Sequence, residues 1–70
     1  MSQDETKKMT IVIPENLNFA LKATAARERR YIQYIAAELF AEYLKKKHPD
    51  IYEEFGIEKS IEHYMRNMNR

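Results

Sequence analysis

The chain has no cysteine and no tryptophan, and only one glycine and two prolines among its 70 residues. Each shortage closes a route. A chain this short buries so little surface that it commonly needs a disulfide, a metal or a partner chain. The lack of cysteine removes the first. The two histidines, His48 and His63, have only scattered carboxylates between them, which fits no common metal-ligand spacing. Oligomerisation is the staple that remains. One glycine cannot build a phosphate-cradling loop. Ser2 and Ser60, the only serines, have no evident base, so no nucleophile is set up for catalysis. The expectation is a protein that is not an enzyme, with no cofactor and no metal. No apolar run approaches the roughly 20 residues of a membrane span, and residues 1–8 are polar where a signal peptide would be apolar. The expected compartment is the cytoplasm, with no membrane contact.

What is present is hydrophobic (44%) and charged (33%) in the proportions of a helical globule. The net charge of +1 hides an asymmetry. Residues 1–48 carry nine Lys/Arg against six Asp/Glu, a balance of +3, while residues 49–70 carry three against five, a balance of −2. Pairing two copies doubles the first figure, enough to steer the N-terminal part towards a polyanion.

Residues 1–6 are polar and aperiodic, which predicts a flexible arm. Lys8-Met9-Thr10-Ile11-Val12-Ile13-Pro14 then alternates, with Met9, Ile11 and Ile13 on one face and Lys8, Thr10 and Val12 on the other. That period and its β-branched content predict a short strand, which must find its partner in another copy. Pro14 and Glu15 suit a helix start. Leu17, Ala20, Leu21, Thr24 and Ala25 mark the first helix, and Arg27-Glu28-Arg29-Arg30-Tyr31 interrupts the stripe at a corner. Ile32, Ile35, Ala36, Leu39, Phe40, Tyr43 and Leu44 mark a second helix over residues 32–47. Its last turn holds Lys45, Lys46 and Lys47, and Pro49 prevents continuation. Beyond it the spacing predicts one or two helical turns closed by Gly56, then an amphipathic helix carrying Ile57, Ile61, Tyr64, Met65 and Met68.

A short strand, a proline and two amphipathic helices, with Tyr34-Ile35-Ala36-Ala37-Glu38-Leu39 opening the second and Tyr43-Leu44 near its end, resemble the ribbon-helix-helix (Arc/MetJ-like) superfamily of DNA-binding proteins. The resemblance covers roughly residues 7–47. It implies a mostly α fold with one short strand: an intertwined homodimer with an intersubunit antiparallel β-ribbon, here with a C-terminal helical extension. Residues 7–48 would form the DNA-binding and dimerisation domain and residues 49–70 an acidic helical extension. On that pattern Lys8, Thr10 and Val12 face base edges in the major groove. Lys7, Arg29, Arg30 and Tyr31 contact phosphate. Met9, Ile11, Ile13, Leu17, Leu21, Ile32, Ile35, Leu39 and Tyr43 build the dimer core.

Two departures stand out. Val12 lies where relatives often carry a polar or basic side chain. The corner lacks the usual glycine followed by Ser or Thr, and Arg29, Arg30, Tyr31 and Ile32 fill it instead. The implied function is a sequence-specific double-stranded DNA-binding transcriptional regulator, a repressor that binds its operator as a homodimer or in higher-order arrays. Two alternatives stay open: an antitoxin that binds a toxin through its C-terminal segment, with residues 57–68 as the partner face, and a dimeric interaction module that does not bind DNA. Because residues 7–48 hold every residue assigned to ribbon and core, a chain ending at His48 is expected to fold and dimerise.

Overall fold

Two prolines and two left-handed residues punctuate this chain into helices. The computed structural model describes residues 6–66, which form α1 (Glu15–Glu28), α2 (Ile32–Lys47), α3 (Pro49–Glu54) and α4 (Ile57–Arg66). Pro14 stands at the N-cap of α1, and its carbonyl accepts the Asn18 amide at 3.0 Å. Glu15 lies in the first turn, where the helix dipole favours a carboxylate.

The end of α1 is a Schellman motif. The Arg30 amide donates to the Ala25 carbonyl at 2.9 Å and the Arg29 amide to the Ala26 carbonyl at 3.2 Å, satisfying two orphan carbonyls. Arg29 holds the left-handed position with φ 56°, a conformation that costs an L-residue roughly 1–2 kcal/mol. Glycine would adopt it freely, at the expense of a looser unfolded chain. Arg29→Gly should therefore stabilise the fold by up to about 1 kcal/mol, seen as a higher urea midpoint at unchanged slope. A lowered midpoint would mean that Arg29 makes side-chain contacts worth more than its strain.

The second helix occupies the span that its apolar spacing predicts. His48 ends it by donating its amide to the Leu44 carbonyl at 2.8 Å, and Pro49 opens α3 at once. Gly56, at φ 60°, makes the sharp turn into α4. All three other helices pack on α2. Among the described residues only Ala25, Tyr34, Ile35 and Ala41 are buried. No helix among the described residues is long and apolar enough to cross a membrane.

The ribbon-helix-helix class is overturned. The described residues are all helix and loop, with no strand, and residues 6–14 have no regular secondary structure. The physical reason is that alternation supplies two faces but not a ladder: strand structure needs a hydrogen-bonded neighbour, and none pairs with this segment. The core differs too. Of the nine residues assigned to it, Ile35 is buried; Ile13, Leu21 and Ile32 are half-buried; and Met9, Ile11, Leu17, Leu39 and Tyr43 are exposed. Tyr34, 8% exposed, is the largest of the buried residues and was assigned to no core. Apart from Thr6, the arm assigned to residues 1–6 lies outside the described residues, as does Met68.

Candidate nucleic-acid interface

The side chains expected to meet DNA fall into two groups, residues 7–12 and the α1–α2 corner. Lys7, Lys8, Thr10 and Val12 are all exposed, Val12 at 97%. The alternation has a structural counterpart: Met9 and Ile11 line a groove against α2, whereas Thr10 and Val12 do not. Lys7 and Lys8 both stand at that groove, so the cations are less strictly sorted than the period suggests.

The groove has a volume of about 570 Å³. Met9, Ile11, Ala36, Ala37 and Phe40 give it an apolar lining, while Thr6, Gln33 and Tyr64 add polar groups and the two lysines add charge. The α4 helix reaches it through Tyr64. The Tyr64 ring lies 4.9 Å from that of Tyr34, and its phenol oxygen accepts a hydrogen bond from Gln33 Nε2 at 3.0 Å. Gln33 and Phe40 belong to no site the sequence suggested, and Tyr64 belongs only to the partner face at residues 57–68. Tyr64 is visible in the α4 stripe, but helical periodicity cannot say which helix that stripe covers.

At the corner the two arginines differ. Arg29 is exposed. Arg30 is turned inward, its side chain 19% exposed, with Nη1 3.2 Å from Glu28 Oε1 and 3.5 Å from Glu38 Oε1. A phosphate meeting Arg30 must compete with both carboxylates. Tyr31 forms the N-cap of α2, 74% exposed, and its side chain makes no capping hydrogen bond. Its ring lies 6.2 Å from Tyr34, extending a line of tyrosines from the corner to α4. Of the corner residues assigned to phosphate, Arg29 and Tyr31 are thus exposed, beside an α2 N-terminus whose N-cap side chain makes no capping hydrogen bond.

The C-terminal stripe is partly spent within the chain. Ile57, Ile61, Tyr64 and Met65 are half-buried, and α4 packs on α2 and α3. The face expected to take a partner at residues 57–68 is therefore already partly covered over its described length. No family model matches the chain, and no curated protein or solved structure matches it.

Proposed function

We propose that this chain is a self-associating, sequence-specific double-stranded DNA-binding regulator, with repression of its target as the simplest outcome. The carrying observation is the segment over residues 7–12. It leaves Lys7, Lys8, Thr10 and Val12 exposed in an irregular stretch, with Thr10 and Val12 off the α2 groove that Met9 and Ile11 line together with the two lysines. A lysine can donate to guanine O6 or N7, a threonine can exchange one hydrogen bond with a base edge, and a valine can meet a thymine methyl. Phosphate contacts are assigned to Lys7, Arg29, Arg30 and Tyr31, with Arg29 the more accessible of the two arginines. Reading a chromosomal or plasmid duplex in this way places the protein in the cytoplasm.

Self-association supplies the second half of the proposal. Met9, Ile11, Leu17, Leu39, Phe40 and Tyr43 are exposed, apolar side chains that burial against a second copy would stabilise. Pairing also doubles the +3 balance of residues 1–48.

The deciding experiment is selection of bound duplexes from a random pool with purified full-length protein. A recurring site supports the proposal, and enrichment without sequence preference points to an interaction module. Lys8→Ala and Thr10→Ala should each keep the fold and relax preference at one position by about 1–3 kcal/mol of discrimination. If neither affinity nor preference changes in either variant, the base-reading assignment of residues 7–12 is wrong even where DNA still binds.

A further inference from the structure

We infer that the groove between residues 6–11, α2 and α4 binds a small amphipathic anion, an apolar body with one acidic head group, and that this ligand competes with DNA. The site stands on its own lining, whereas the competition rests on the base reading proposed above. Charge selects the head group. Lys7 and Lys8 bring two ammonium groups to the groove, and neither makes an ion pair among the described residues. Among those residues no Asp or Glu lines it. Glu38, next to Ala37 in sequence, is held by Arg30 at 3.5 Å. An anion entering here meets cations without a carboxylate to displace, and charge-assisted hydrogen bonds are stronger than neutral ones.

Shape and polarity select the rest of the ligand. Along α2 the floor runs through Gln33, Ala36, Ala37 and Phe40, which share one helix face over roughly 10 Å. It is polar at Gln33, which donates to the Tyr64 phenol oxygen at 3.0 Å, and that phenol still has its own proton to donate to an anion. Ala36 and Ala37 carry only methyl groups, so the middle of the floor is hollow. The far end is apolar, with Phe40 45% exposed. A volume of about 570 Å³ falls within the roughly 300–1,000 Å³ of small-molecule sites, so one ligand fills it.

Competition follows from shared residues. Lys8 is assigned to a base edge and Lys7 to phosphate, and both line the groove. A head group that holds them withdraws them from DNA. Met9 and Ile11, on either side of Thr10, attach the same segment to the apolar body. Ligand and duplex are therefore linked, and each lowers the affinity of the other by the same factor.

The test titrates full-length protein with decanoate below its micelle-forming concentration, beside decanol, acetate and anionic phosphatidylglycerol vesicles. Decanoate should bind saturably, with isotope-filtered nuclear Overhauser contacts from its chain to Met9 and Phe40. Decanol, without the charge, should bind at least about tenfold more weakly, and acetate, without the tail, should not saturate. Ala37→Phe fills the hollow and should weaken decanoate at least about tenfold, the equivalent of a few unburied methylenes. Phe55→Glu, at an exposed α3 residue outside the groove, should leave decanoate binding unchanged. Decanoate at about ten times its dissociation constant should weaken binding to the selected duplex about tenfold. The site is overturned by a lack of saturable decanoate binding, by equal binding of decanol, by contacts that omit Met9 and Phe40, or by binding to vesicles alone. If Ala37→Phe fails to fold, the wild-type contacts still decide. Decanoate seated in the groove with duplex affinity unchanged overturns the competition. Decanoate seated there in a protein that selects no DNA sequence leaves the site standing and removes the regulator reading.

Discussion

Removal of residues 49–70 will cost the protein its cooperative fold. Sequence pattern alone suggests the opposite, because every residue assigned to the ribbon and core lies before His48. In the structure Tyr34 is the largest of the four residues buried among those described, and Tyr64 of α4 is stacked against it. Truncation strips Tyr64 from Tyr34 and Gln33, and with it the half-buried Ile57, Ile61 and Met65. Half-burying four such side chains contributes about 3–5 kcal/mol by area. A whole domain of this length is stable by only about 3.5–10 kcal/mol, so the loss is comparable to the total. The 1–48 chain should show reduced helicity per residue and a broad, shallow urea transition beside the sharp one of the full chain. A cooperative transition of 1–48 at the full-length midpoint would show that α3 and α4 are accessories.

The second large effect is on the melting temperature, which should climb with protein concentration. If folding and association are one event, each tenfold rise in concentration adds about 1.4 kcal/mol to the stability of the assembled state. For two chains melting together this moves the midpoint by roughly 3–6 °C per decade. Differential scanning fluorimetry or circular dichroism over two decades resolves such a shift. A midpoint indifferent to concentration, with a monomeric mass in sedimentation, removes the basis for self-association.

Helices were legible here because their signals are local. Pro14, Pro49 and Gly56 fix backbone geometry at their own positions, and the spacing from Ile32 to Leu44 describes one face of one rod. The segment at residues 8–13 was misread because alternation is local while a strand is not. Met9 and Ile11 do turn from Thr10 and Val12, yet no ladder forms. The corner was obscure for another reason. Position 29 needs a left-handed backbone that points to glycine, and Arg29 adopts it at a cost, so residue type did not reveal it. Arg30 looked like a cation for phosphate because sequence cannot show that Glu38, nearly two turns into α2, lies within 3.5 Å of it. The Tyr34–Tyr64 contact spans thirty residues of chain, beyond the reach of any periodicity argument.

That contact also makes the protein its own spectroscopic probe. The chain has no tryptophan and five tyrosines, so its near-ultraviolet signal is a tyrosine signal. Of the tyrosine rings, Tyr34 and Tyr64 form the closest pair, 4.9 Å apart and tilted by 44°, a chiral arrangement that a freely rotating phenol lacks. Near-ultraviolet circular dichroism therefore reports whether α4 is seated, while the far-ultraviolet band reports whether it is helical. An α4 that keeps its helix but leaves α2 is thus distinguishable from one that melts, without a label and without changing a residue.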